Sequence, residues 1–196
     1  MIYDLTQSVF SCEVYPGDPA PQKREVLRME RGDICNLTAF SMCAHNGTHV
    51  DAPFHFFKDG KGIDKVALEK FVGPAYVFEH SGDLTAEAAE KVLKKAAEAK
   101  AGAEKRLLMK GKATVTEEAA RIFAAAGMDL IGNESQTVGP EKAPMAVHLI
   151  LLEKEIVLLE GIRLAEVPEG VYFLSCAPLK LEDADGAPCR AILCDF

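Results

Sequence analysis

His45-Asn46-Gly47-Thr48-His49-Val50-Asp51-Ala52-Pro53-Phe54-His55 holds three of the five histidines of a 196-residue chain. In an extended backbone the odd positions, His45, Gly47, His49, Asp51, Pro53 and His55, share one side, and Val50, Ala52 and Phe54 take the other. His45 and His49 have the i,i+4 spacing of helical zinc sites, but Gly47, Thr48 and above all Pro53 disfavour a helix. Full extension would hold the alpha carbons of His45 and His49 roughly 13 Å apart at ~3.3 Å per residue, near the limit for sharing an ion. The run is therefore expected to bend, and Gly47 is the residue that permits it. Two imidazoles and a carboxylate then converge on a divalent ion with positions left open for water, and Asp51 can bridge a second ion through its other oxygen. A closed structural zinc is disfavoured because no cysteine is interleaved with the run.

Two later residues are candidates to complete the centre. His148 lies in the apolar segment Pro144-Met145-Ala146-Val147-His148-Leu149-Ile150-Leu151-Leu152, where a histidine is either a hydrogen-bonded core residue or a ligand. Glu160 ends the run Ile156-Val157-Leu158-Leu159, and burying a carboxylate there is costly unless it is paired or binds metal.

Short apolar runs at 75–78, 106–109, 128–132, 156–159, 171–175 and 191–194 have the length of strands, and 34–42 reads as a half-buried strand. Between them, 84–100 is rich in Ala, Glu, Lys and Leu and reads as a helix. A second helix is capped by Thr116, carries Glu117 and Glu118 in its first turn, turns Ile122 and Phe123 inward and stops at Gly127. The class is α/β, a single domain over residues 1–196 with a mixed sheet and a few helices; periodicity does not give the strand order.

Composition agrees with an ordinary globular domain: 48% hydrophobic and 27% charged. With 22 Lys and Arg against 30 Asp and Glu, the formal charge of −8 repels phosphate backbones, so nucleic acid is not an expected partner. No signal peptide or spanning segment is apparent, so neither is a membrane, and the cytoplasm is the expected location. The six cysteines form no C-x-x-C pair and are expected to pack as reduced small hydrophobes, with Cys35 and Cys43 nearest the histidines.

The stretch from His45 to Phe56 resembles the H-x-G-T-H-x-D-x-P-x-H-F signature of the cyclase family, which includes bacterial kynurenine formamidases and isatin hydrolases. The similarity runs nearly end to end, through Tyr3-Asp4-Leu5-Thr6, Tyr15-Pro16-Gly17-Asp18, Phe71-Val72-Gly73-Pro74, Pro178-Leu179-Lys180 and Gly186-Ala187-Pro188-Cys189-Arg190-Ala191. It implies a swivelling β/β/α fold, a homodimer or homotetramer, and one or two zinc or manganese ions. At matching positions it makes His45, His49 and Asp51 ligands of one metal and Asp51, His148 and Glu160 ligands of another, with His55 as catalytic acid/base. The chain departs from the family at Gly132-Asn133-Glu134-Ser135-Gln136-Thr137-Val138, where many relatives carry a Gly-Ile-Asp segment. It also has Tyr15 where formamidases carry Trp, and no tryptophan at all. Tyr15 and Phe54 are the candidate substrate contacts.

The expected chemistry is hydrolysis of a small formamide, cyclic amide or lactone by metal-activated water, His55 moving the proton. Two other readings compete. One takes His49, Asp51 and His148 as the triad of a non-haem iron oxygenase, which leaves His45 and His55 unexplained and requires a jelly roll. The other is a metal- or ligand-binding relative without turnover, motivated by the changed 132–138 segment.

Overall fold

The computed structural model describes residues 1–196. Thirteen strands and three α-helices follow in the order β1 (Ile2–Asp4), β2 (Gln22–Leu27), β3 (Leu37–Ser41), β4 (His49–Asp51), β5 (Val72–Glu79), β6 (Gly82–Leu84), α1 (Ala86–Ala99), β7 (Arg106–Lys110), β8 (Ala113–Val115), α2 (Glu117–Ala126), β9 (Leu130–Asn133), α3 (Met145–Glu153), β10 (Val157–Glu160), β11 (Gly170–Ser175), β12 (Gly186–Pro188) and β13 (Ile192–Cys194). Nine strands form one sheet in the order β1-β13-β11-β5-β7-β9-β10-β4-β12. Its centre, β5-β7-β9-β10, is parallel, and the flanking pairs are antiparallel.

The central strands are buried on both faces, which is why they read as continuous apolar runs. Alternate residues feed two separate cores. Ala75, Val77, Leu108, Leu130, Val157 and Leu159 enter one, and Tyr76, Phe78, Leu107, Met109, Ile131 and Leu158 the other. A one-residue slip would exchange the two sets, so register is fixed at every central strand. The helices cover the second core with Ala89, Val92 and Ala96 of α1, Ala119, Ala120 and Phe123 of α2, and Val147, Leu151 and Leu152 of α3. In the first core, Val50 of β4, Ala187 of β12 and Leu193 of β13 belong to one cluster although they come from opposite ends of the sheet. The sheet therefore curls around them. This mixed sheet with helices on one side is not the jelly roll that the iron-oxygenase reading requires.

Local sequence explains the helix ends. Thr85 and Thr116 each accept a hydrogen bond from a first-turn amide, of Ala88 and Ala119, and Gly127 adopts a left-handed conformation after α2. The first helix begins later than the composition of 84–100 suggests, because Leu84 closes β6 and Thr85 is the cap. The third helix lacks such punctuation and is apolar on almost every side, so no stripe marks it as helical. Segment 34–42 differs from expectation in another way: its strand, β3, pairs only with β2, in a two-stranded arm whose residues are nearly all exposed or half-buried. Cys35 is likewise exposed and does not pack, whereas Cys176 and Cys189 are buried. No helix is long and apolar enough to cross a membrane.

Candidate metal centre

Strand pairing assembles the centre. In β4, His49 lies opposite Glu160 of β10, and Asp51 lies opposite Leu158 two residues along. The antiparallel register thus puts His49, Asp51 and Glu160 on one side of the two strands, with Val50 turned into the core behind. The alternation expected over 45–55 holds only in this strand. His45 comes from the preceding turn and His55 from a short 3-10 turn at Pro53–His55. Gly47 supplies the bend with φ of 64°. The third helix, joined to β10 by a short connection, brings His148 over the same strands.

Asp51 is the hub, buried to 1% exposure. Its Oδ1 lies 2.9 Å from His45 Nδ1 and 3.4 Å from His49 Nε2, and its Oδ2 lies 3.5 Å from His148 Nε2. Glu160 closes the ring, with Oε2 3.5 Å from His49 Nε2 and Oε1 3.4 Å from His148 Nε2. Its Oε1 also accepts the Val138 amide at 2.8 Å, which fixes the carboxylate plane. The ligand atoms fall into two groups that share Asp51: His49 and Glu160 on one side, His45 and His55 on the other. This grouping differs from the one implied by the family resemblance, which pairs His45 with His49.

The donor set fits a divalent cation. Metal–ligand bonds of ~2.1 Å in a tetrahedral shell separate ligand atoms by roughly 3.4 Å. The four contacts of His49 and His148 with the two carboxylates have this length, longer than hydrogen bonds between charged groups. His49 Nδ1 lies 3.0 Å from the Gly47 carbonyl and His148 Nδ1 2.9 Å from the Pro144 carbonyl. Each ring therefore donates Nδ1–H to backbone and presents Nε2 to the carboxylates, the outer-shell pattern of histidine ligands. Asp51 Oδ2 is buried with no hydrogen-bond partner, an expensive state unless a cation meets it.

The electrostatics carry the same demand. Burial works against protons on the histidines, but the carboxylates outweigh it. Asp185 and Asp51 carry His45 up to about 11, and Asp51 and Glu160 carry His49 to about 9 and His148 to about 10. Burial would raise the Asp51 carboxyl, yet His148, His45 and His49 hold it well below the usual range. The buried carboxylates therefore require positive charge beside them, from protons or from metal.

Asp185, which the sequence reading missed, belongs to this centre. Its Oδ2 lies 2.8 Å from His45 Nε2 and 3.3 Å from His55 Nδ1, and these two histidines hold its carboxyl far below the ordinary range. The signal was its position immediately before the closing motif at Gly186.

A cavity of about 340 Å³ opens over the cluster, lined by the five ligand candidates, His55, Asp185, Tyr15, Phe56, Gln136 and Thr137 among others. His55 is about a quarter exposed, and its Nε2 makes no hydrogen bond within the chain. Tyr15 reaches this wall; Phe54 does not, being 41% exposed and outside the lining, where Phe56 stands instead.

The Cyclase family model matches residues 3–140. The chain belongs to the cyclase family. Among its relatives, the kynurenine formamidase of Salinibacter ruber is 33% identical over 208 residues, covering 99% of this chain and 97% of that protein. A solved structure described as a potential metal-dependent hydrolase with cyclase activity is 27% identical with a TM-score of 0.82, covering 98% of this chain and 96% of its own. Isatin hydrolase A from Labrenzia aggregata shares the fold at 22% identity, with a TM-score of 0.83 and coverage of 98% and 93%. The expected α/β architecture, a mixed sheet with a few helices, here three, is thus that of the cyclase family.

Glycine is required at one further point of this cyclase-family site. Gly161, directly after Glu160, has φ of 68°, and a Cβ there would overlap the Gly47 carbonyl oxygen and the Gln136 amide nitrogen. Gly161→Ala is expected to destabilise the protein by roughly 2–4 kcal/mol, combining left-handed strain with overpacking. Thermal denaturation of the two proteins checks this, and an unchanged midpoint would show that the loop relaxes freely.

Proposed function

We propose that this protein is a metal-dependent hydrolase of a small formamide, cyclic amide or lactone, with arylformamidase-like action on a C–N bond. The observation that carries the reading is the buried ring of His49, His148, Asp51 and Glu160, spaced as a coordination shell beneath an open cavity with His55 at its edge. The relation to a kynurenine formamidase across the whole chain supports the same reaction.

His49, His148, Asp51 and Glu160 would hold one ion, and Asp51 with His45 would hold a second where two are present. Zinc and manganese both suit this mixture of imidazole and carboxylate. A bound ion supplies Lewis acidity, polarising the scissile carbonyl and lowering the pKa of a water toward neutrality. His55 takes the proton of the attacking water at Nε2 and returns it to the leaving amine nitrogen. Asp185 holds His55 Nδ1, which orients the ring and leaves Nε2 without a partner in the chain. Phe56 packs edge-on against His55, with ring centroids 4.6 Å apart, and restricts the same ring. Assaying the metal-loaded protein against N-formyl arylamines, isatin-type lactams and lactones tests the proposal. Formate or ring-opened acid is the expected product, and silence across the panel would favour a binding relative without turnover.

A homo-oligomer is part of this reading, as is a location in the cytoplasm. Its support is the β2–β3 arm, which exposes Val26, Leu37 and Phe40, with Ile34 94% exposed at its turn. Phe10, itself exposed, packs edge-on against Phe40. Exposed apolar side chains gathered on one two-stranded arm are the kind of surface an interface covers. Phe40→Glu is expected to shift the protein toward monomer in light scattering coupled to size exclusion, and an unchanged mass would remove the arm from the interface.

A further inference from the structure

Asp185 is placed by the strand that follows it. Its carbonyl accepts the Ala52 amide at 2.9 Å, and the next residue, Gly186 of β12, lies opposite Asp51 of β4. The Asp185 side chain is thereby carried to the end of the strand that bears His49 and Asp51. Gly186 leaves room there for His45, since a Cβ on it would stand 2.8 Å from His45 Cε1 and 2.8 Å from the Val50 carbonyl oxygen. The His55 ring packs on the same imidazole, with centroids 4.1 Å apart and planes 31° from parallel. His45 is thus confined by Gly186 and His55, and held at its two nitrogens by Asp51 and Asp185.

The three imidazoles that touch Asp51 are not held alike. His49 and His148 give Nδ1–H to main-chain carbonyls and turn Nε2 to the carboxylates. His45 is reversed: Nε2 meets Asp185 Oδ2 at 2.8 Å, and Nδ1 meets Asp51 Oδ1 at 2.9 Å. An imidazole that donates through one nitrogen offers the other as a ligand, so Asp185 selects Nδ1 of His45. Of the three outer acceptors, Asp185 alone is a side chain and alone carries charge, which makes the ring it holds a more basic ligand. The same Oδ2 lies 3.3 Å from His55 Nδ1, so one oxygen sets both rings.

We propose that Asp185 is a positioning residue that builds the second-ion site and couples it to the proton carrier, presenting His45 Nδ1 beside Asp51 Oδ1 and holding His55 with the same oxygen. The inference rests on the metal-dependent hydrolase reading above and deepens it. It makes the two ions unequal. The site of His49, His148, Asp51 and Glu160 has no contact with Asp185, whereas the site of His45 and Asp51 depends on it.

Calorimetric titration of the metal-stripped protein with zinc, with bound ions counted by elemental analysis, reads the two sites separately. The unmodified protein should take two ions per chain. In Asp185→Asn and in Asp185→Ala the second should bind about 10–100-fold more weakly, the effect of losing an outer-shell partner, while the first keeps its Kd. A residue that merely supports the fold would weaken both. With formanilide as substrate, kcat should stay about tenfold low at zinc concentrations that refill the second site, because His55 has lost its hold, and KM should not change. Equal weakening of both ions, an unchanged second Kd, a single ion in the unmodified protein, or full kcat on refilling would overturn the proposal. A protein that binds two ions and hydrolyses no amide fails the hydrolase reading instead, and the two Kd values then decide the role of Asp185 by themselves.

Discussion

Asp51→Asn is expected to strip the protein of metal and of activity together. Asp51 is the only residue whose carboxylate touches His45, His49 and His148, and it is shared by both groups of ligand atoms. Loss of an outer-shell partner alone costs ~10–100-fold in metal affinity or activity, so losing the hub should exceed about 10²-fold. The amide is nearly isosteric, which separates this effect from a packing defect. Metal at 100 times its Kd stabilises a folded protein by about 2.7 kcal/mol, roughly 5–10 °C at this chain length. Thermal shift with added zinc or manganese should therefore show that rise in the unmodified protein and little in the variant. An Asn variant that keeps both metal and turnover would place the centre elsewhere.

His55→Ala should have the opposite signature, with metal retained and turnover lost. The ring stands at the cavity edge, bonded by Nδ1 to Asp185 and outside the ring of His49, His148, Asp51 and Glu160. General acid–base catalysis by a positioned side chain contributes ~10²–10⁴-fold, and kcat should fall by that much. Elemental analysis alongside steady-state kinetics reads both quantities. Because His55 also has a nitrogen near His45 and Asp51, a fall in bound metal matching the fall in kcat would make it a ligand instead.

These two residues also mark how far the sequence could be read. The crowding of histidines around Gly47 was legible because ligand chemistry needs several donors on one side of a chain that can bend there. The capped ends of α2 were legible because Thr116 and Gly127 act through their immediate neighbours. The third helix was not, since Met145–Glu153 is apolar on almost every side and lacks the polar face that reveals periodicity. That gap left His148 suspended between core residue and ligand, although one helical turn places its ring against Asp51 and Glu160. The role of Glu160 was visible from the cost of burying a carboxylate, and the family resemblance placed it with Asp51 and His148, but its pairing with His49 was not visible. The register of β10 against β4 decides that, and register is a property of the assembled sheet. Asp185 was marked only by its position before the closing motif at Gly186, and its partners were not legible for the same reason, because it meets His45 and His55 across 140 and 130 residues of chain.

The central claim is that the buried His49, His148, Asp51 and Glu160 hold a divalent ion that the hydrolysis of a small amide requires. Titrating the metal-stripped protein with zinc or manganese, while counting ions bound per chain and formate released from formanilide, addresses it most directly. Turnover should rise in proportion to bound metal and level off at one or two ions per chain. Full turnover by the metal-stripped protein, or metal bound at that stoichiometry by Asp51→Asn, would contradict it.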